Sequence, residues 1–221
     1  MARLAVSGAS GKTGWRVAQE AMQRGWQVRA LVRPDSVLPQ GLEGAEIIRL
    51  DLQQREALHQ ALAGCDALVI ATGARPSVDL TGPLRIDALG VRAQLAAAKA
   101  VGLERVVLVS SLCAGRWSHP LNLFGLILVW KRLGERWLER SGLRWTIVRP
   151  GGLSEREDGV EREGLRLSGA DQQQSRSIPR RLVARLCLDA LADPASEGRI
   201  LEVTSDPSLP PISLSDWLAA T

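Results

Sequence analysis

A short apolar run, Leu4-Ala5-Val6, is followed at once by Ser7-Gly8-Ala9-Ser10-Gly11-Lys12-Thr13-Gly14 and then by helical periodicity. Three glycines at this spacing let a chain leave a strand, turn tightly, bring its backbone close to an anion and enter a helix whose first N–H groups are unpaired. That pattern constrains the chain to start as the first strand, turn and helix of an open α/β sheet. Its first candidate ligand is the pyrophosphate of a dinucleotide. A purely structural strand-to-helix turn is the alternative, and the position of the glycines between strand and helix favours the cofactor.

Downstream, the apolar period switches repeatedly between two and 3.6. Strands are expected at residues 3–7, 27–32, 45–50, 67–71, 105–110, 144–149 and 199–203. Helices are expected at about 12–24, 53–63, 84–101, 124–141 and 179–192, with a short one from Ser213. Alternation of this kind gives a parallel sheet, and runs such as Val106-Val107-Leu108-Val109 imply helices on both of its faces. The fold class is therefore α/β, a doubly wound parallel sheet in three layers. Gly25, Gly64, Gly102 and Gly142 each follow a helical pattern and suit left-handed C-terminal caps. Residues 151–178 are polar and weakly periodic, and are expected to be a loop-rich substrate region rather than sheet within one domain spanning 1–221.

Composition excludes more than it selects. The 28 Lys and Arg against 24 Asp and Glu are interspersed, so no nucleic-acid surface is demanded, and the Arg180-Arg181-Arg185 cluster reads as a solvated helix face. Cys65, Cys113 and Cys187 have no metal or redox spacing and fit a reducing cytoplasm, and no metal site is expected. The longest apolar stretch, Leu121–Trp130, is too short to span a bilayer, and the first strand begins too early for a signal peptide, so no membrane association is expected.

In an open parallel sheet, ligands lie beyond the carboxyl ends of the strands. Those ends read Ser7-Gly8, Val32-Arg33, Asp51-Leu52, Ala71-Thr72-Gly73-Ala74, Ser110-Ser111 and Arg149-Pro150-Gly151-Gly152. After the second strand, Arg33 stands where an acidic residue would meet a free ribose hydroxyl. With Lys12 and Ser10 near by, it points to the 2′-phosphate of NADP(H). The plainer reading of Arg33 is a solvated arginine paired with Asp35. Asp51 reads as a helix N-cap, an adenine contact, or both.

The string Gly8–Gly14, Asp51-Leu52, Gly64-Cys65-Asp66-Ala67-Leu68-Val69-Ile70, Ile86-Asp87 with Gly90, Val109-Ser110-Ser111 and Thr146-Ile147-Val148-Arg149-Pro150-Gly151-Gly152-Leu153 resemble the atypical short-chain dehydrogenase/reductase superfamily. The resemblance runs over nearly the whole chain. It is closest to the compact NAD(P)H-binding group of NmrA-like proteins, biliverdin reductase B or flavin reductase types, and plant and cyanobacterial relatives. It implies a Rossmann-type fold, NADP(H) along the strand ends, and a nicotinamide near Pro150, Gly151, Gly152 and Leu153. It also implies that Lys131 holds the nicotinamide ribose while Ser110 or Ser111 orients the substrate. A plastid or cyanobacterial setting is the alternative to the cytoplasm.

The departure from that family is informative. Its members reduce carbonyls with a tyrosine four residues before the lysine, yet this chain has no tyrosine, and Ile127 stands four residues before Lys131. Lys131, one of only three lysines, is either the family's lysine or a helix-surface residue. Without the acid, hydride transfer to a planar small-molecule acceptor of flavin, quinone or bilin type is favoured over ketone reduction, because the proton can come from water or the acceptor. The second hypothesis is a non-catalytic NADP(H) sensor acting on a protein partner. His119 reads as an exposed loop histidine or a substitute acid, and Trp117 as a packing residue or a stacking platform. Trp130 and Trp137, a heptad apart, read as one helix face packed on the core or on a second subunit, so monomer and homodimer both stay open.

Overall fold

The computed structural model describes residues 2–74, 79–116, 118–123 and 125–221. Trp117 lies outside the described residues. One sheet organises the chain, with strands β1 (Arg3–Ser7), β2 (Gln27–Val32), β3 (Glu46–Arg49), β4 (Ala67–Ile70), β5 (Arg105–Val109) and β6 (Arg144–Pro150). Three short strands follow, β7 (Gly152–Ser154), β8 (Gly164–Ser168) and β9 (Ser177–Pro179), and then β10 (Arg199–Asp206). The order across the main sheet is β3-β2-β1-β4-β5-β6-β10-β8, parallel throughout except for β8, which runs antiparallel to β10. The order therefore reverses between β1 and β4, and a ligand crevice opens there, beyond the strand ends.

Period-two alternation divides each strand between two cores. Leu4, Val6, Val69, Val107 and Val148 pack under α1 (Gly14–Gln23) and α5 (Arg180–Ala192). Ala5, Leu68, Ile70, Val106, Leu108 and Ile147 pack under α2 (Arg55–Leu62) and α3 (Val91–Ala100), with Leu138 from α4 (Ile127–Glu139). Burying both faces explains why these strands are apolar at consecutive positions. The chain ends in α6 (Leu214–Ala219). No helix among the described residues is long and apolar enough to cross a membrane.

Gly25, Gly64, Gly102 and Gly142 all take positive φ, between 71° and 81°, as helix-ending glycines do. The expectation for residues 151–178 needs correction. They contribute β8 to the main sheet and β7 and β9 to a small parallel pair, because Leu165 and Leu167 alternate against β10 and Gly152–Ser154 runs beside Ser177–Pro179. Gly151 is required at this junction: its N–H donates to the Val203 carbonyl at 2.9 Å, and a Cβ would collide with the carbonyl oxygen of Arg176.

Candidate functional site

The first turn is built on backbone contact. Gly8, at φ +77°, lets β1 pass against the end of β4, where a Cβ would sit 2.9 Å from the Thr72 nitrogen. A Cβ at Gly14 would run into the Gly8 carbonyl and lie 2.9 Å from the Ala9 Cα. The Gly11 N–H closes the turn on the Gly8 carbonyl at 2.8 Å, and the Gly8 and Ala9 N–H groups both donate to the Leu31 carbonyl. Thr13 at the N-cap position of α1 makes no side-chain cap hydrogen bond; the Trp15 N–H is taken by the Gly11 carbonyl at 3.1 Å, and among the described residues the Thr13 and Gly14 N–H groups before it have no backbone acceptor outside the helix, so they stay available to an anion.

Beside this turn, Ser10 Oγ donates to Ser36 Oγ at 3.0 Å, joining it to the loop after β2. Arg33 is exposed at the head of that loop, and among the described residues it has no ion-pair partner, so the alternative reading of a pair with Asp35 is not met. The loop is shaped by a residue that sequence reasoning missed: Arg49 donates to the carbonyls of Pro34 at 2.6 Å and Ser36 at 3.1 Å. Lys12, on the same turn, pairs with Glu155. Asp51 is not the N-cap of α2, which is Gln54; its Oδ1 accepts from the Gln53 N–H at 2.9 Å within the preceding turn. Leu52 lies half-buried near Gly90.

At the other end of the crevice stand Ala71, Thr72, Gly73 and Ala74, just past β4. Lys131 on α4 reaches them, its Nζ donating to Asp87 Oδ1 at 2.7 Å, while Asp87 Oδ2 accepts from the Ala74 N–H at 3.1 Å. A Cβ at Gly73 would lie 3.6 Å from Lys131 Nζ. Asp87 is 3% exposed and sits on a π-helical stretch, Leu84–Gly90, that leads into α3; such widened turns often occur at functional sites. In the sequence it stands out only as part of the Ile86-Asp87 motif, with nothing to pair it with Lys131. Lys131 is thus no surface lysine but part of a Lys–Asp–backbone bracket.

Beyond β5, Ser110 is buried, and among the described residues its Oγ has no hydrogen-bond partner; the same holds for the buried Thr72 Oγ1 and Ser7 Oγ atoms. Ser111 follows, half-buried. Unsatisfied buried hydroxyls at the ends of β1, β4 and β5 are costly in a dry interior, and a polar ligand bound along those strand ends would relieve that cost. The glycine cradle, the unpaired N–H groups and these hydroxyls together fit a bound dinucleotide. Pro150 and Gly151 lie at the end of β6, with Leu112 N–H donating to the Pro150 carbonyl at 2.9 Å; Gly152 and the 37% exposed Leu153 continue from them.

The acidic run after Leu153 is not simply solvated. Glu155 pairs with Lys12, and Glu157 pairs with both Arg16 and Arg181, laying residues 153–157 over the first turn of α1. Arg16 and Arg181 in turn flank the Trp15 ring, with guanidinium carbons 4.2 Å and 5.4 Å from its centroid. His119 Nδ1 accepts from the Leu121 N–H at 3.2 Å within its own loop. Trp137 packs on the core with Arg92 over its ring, whereas Trp130 donates to the Gly125 carbonyl.

A family model described as NAD(P)H-binding matches residues 8–194. The chain belongs to this NAD(P)H-binding family, within the atypical short-chain dehydrogenase/reductases. A chloroplastic protein of Arabidopsis thaliana is 32% identical over 97% of this chain and 81% of its own length. Sanguinarine reductase of Eschscholzia californica is 30% identical over 91% of this chain and 88% of its own. A solved structure from Bacillus halodurans, named for the NAD-dependent epimerase/dehydratases, superimposes with a TM-score of 0.86 over the whole of both chains at 28% identity.

Proposed function

We propose that this protein is an NADPH-dependent reductase that delivers hydride to a planar conjugated acceptor of flavin, quinone or bilin type, the proton coming from water or from the acceptor. The observation that carries this reading is the Lys131–Asp87–Ala74 bracket, retained together with a buried Ser110 hydroxyl at the end of β5 in a chain without tyrosine. When bound, a reduced nicotinamide supplies the hydride. Lys131 is held by Asp87 where it donates to the nicotinamide ribose, and Ser110 or Ser111 donates to the acceptor. Gly8, Gly11 and Gly14 with the start of α1 hold the pyrophosphate, and Arg33, with Ser10 close by, meets the 2′-phosphate. Similarity to a reductase over nearly the full length of both chains supports the reaction class.

Calorimetric titration of the whole chain with NADPH and NADH tests the cofactor. Arg33→Asp is expected to weaken NADPH at least tenfold, the loss of one charge-assisted phosphate contact, while leaving NADH nearly unchanged. Equal losses for both would sink the 2′-phosphate assignment. Stopped-flow oxidation of bound NADPH by flavin, quinone and bilin acceptors then tests the reaction. A chain that binds NADPH tightly yet oxidises it with none of them is the sensor instead.

A further inference from the structure

The outer face of α4 carries a cavity that the reductase reading leaves unused. Val129, Arg132, Leu133 and Arg136 recur at helical spacing, and with the turn at Ala114–Arg116 and with Asp171 they wall about 400 Å³, within the range of small-molecule sites. Lys131 and Gly134 lie on the other side of the helix, against Asp87. The cavity is therefore separate from the Lys131 bracket.

Two observations mark it as built. Of the three non-glycine residues with positive φ among those described, two border it: Cys113 at 65°, in the turn that walls it, and Asp171 at 62°. Such conformations are unfavourable for residues with a side chain and persist where the surroundings enforce them. At Asp171 those surroundings are a buried ionic lattice. Arg149 donates to both oxygens of Glu135, at 2.9 and 2.7 Å, and to Asp171 at 3.0 Å. Glu202 accepts the N–H groups of Asp171, Gln172 and Gln173 at 2.8, 3.0 and 2.8 Å. Arg149, Glu135 and Glu202 are at most 1% exposed. A buried lattice like this adds little net stability over apolar packing, so its product is position: it fixes Asp171 at one wall and, through Glu135, holds Arg132 at 3.0 Å on the other.

The charge at the cavity is unbalanced. Arg132 is matched by Glu135 and Glu139, but among the described residues Arg116 and Arg136 have no carboxylate partner. Guanidinium forks match planar oxyanions, Asp171 adds an acceptor, and Val129 and Leu133 add an apolar wall. We propose that this cavity is a second ligand site, for a small carboxylate that also carries a hydroxyl or ammonium group. Arg116 and Arg136 take the carboxylate, Asp171 takes the hydroxyl or ammonium, and the carbon skeleton lies on Val129 and Leu133.

The test is calorimetry of the full chain with citrate, L-glutamate and inorganic phosphate, each repeated with NADPH. Citrate or glutamate is expected to bind with a dissociation constant in the millimolar range or tighter and to raise the melting temperature. Arg116→Gln with Arg136→Gln, both at the cavity edge, should weaken that binding at least tenfold and leave the NADPH titration unchanged. Asp171→Asn, a change to a residue type that tolerates the same backbone conformation, should weaken citrate and glutamate but not phosphate. No binding by any probe, binding of phosphate alone, binding that survives the double arginine variant, or a parallel loss of NADPH affinity would each overturn the proposal. Failure of the cofactor reading would leave the citrate, glutamate and phosphate outcomes untouched.

Discussion

Lys131→Met isolates what the bracket contributes. The substitution keeps helix propensity and length but removes the ammonium from Asp87, a carboxylate 3% exposed whose other oxygen accepts the Ala74 N–H. Breaking a buried pair by removing one partner costs about 3–5 kcal/mol, and the Lys131 side chain is 14% exposed, so about 3 kcal/mol is the expected loss. For a chain of this size that lowers the melting temperature by about 6–12 °C. NADPH affinity should fall at least tenfold at the same time, since a charge-assisted contact to the ribose is lost. The second variant, Asp87→Asn with Lys131→Met, separates the two effects. The introduced amide still accepts from the Ala74 N–H and carries no uncompensated charge, so most of the stability should return. The cofactor affinity should not. Thermal melts and NADPH titrations on the three proteins decide the matter: if the double variant regains both stability and affinity, Lys131 serves only to neutralise Asp87.

Gly14→Ala is expected to cost about 1–3 kcal/mol by overpacking, because a Cβ there lies 2.7 Å from the Gly8 carbonyl carbon and only backbone can give way; NADPH binding should vanish from a protein that still melts cooperatively. A variant that binds as the parent does would remove the turn from the cofactor site. The strap over α1 should also be sensitive to acid. The Lys12 hydrogen bond holds Glu155 below its usual 4.5; burial alone would raise Glu157, but hydrogen bonds from Arg16 and Arg181 reverse that and lower it too. Depressed carboxylates stabilise the fold above the unfolded value and lose that contribution as pH falls through their folded values, so hydrogen exchange of residues 153–158 should rise below that range, and Glu155→Gln with Glu157→Gln should show the faster exchange at neutral pH. Protection that is the same in both proteins at every pH would refute the strap.

The parts of the fold legible in the sequence are those set by local period and by glycine. Strand alternation places Val69 and Leu68 in different cores, and the four helix-ending glycines take the φ their positions imply. The strands within residues 151–178 escape such a reading because β7 and β9 are three residues each, too short for any period, and β8 borrows its order from β10. The ionic lattice is hidden for a different reason: residues 135, 149, 171 and 202 are distant in sequence. A signal exists all the same. Arg149 ends the apolar run Thr146-Ile147-Val148, Glu202 interrupts Ile200-Leu201-Val203, and the strands pair these two residues in register. A charge inside a doubly covered strand demands an opposite charge beside it. Lys131 is legible from its place in a motif, but its partner Asp87 depends on the π-helical widening, which no apolar period encodes.

The position that defines the family's acid argues for the acceptor class. Ile127 opens α4 and packs with Leu112, Cys113 and Leu128, in the small apolar cluster at the turn that follows Ser110 and Ser111. An alkoxide forming beside such a cluster would be poorly solvated and would lack a general acid worth about 10²–10⁴ in rate. A conjugated acceptor spreads the incoming charge over its ring system and takes its proton later from water. The Lys131 ammonium, already engaged by Asp87, is better suited to holding a ribose than to lowering the pKa of a donor that is absent. What the site retains, a fixed lysine, a buried hydroxyl and a close-packed phosphate turn, serves placement, and placement is sufficient for hydride transfer to an acceptor that stabilises its own charge.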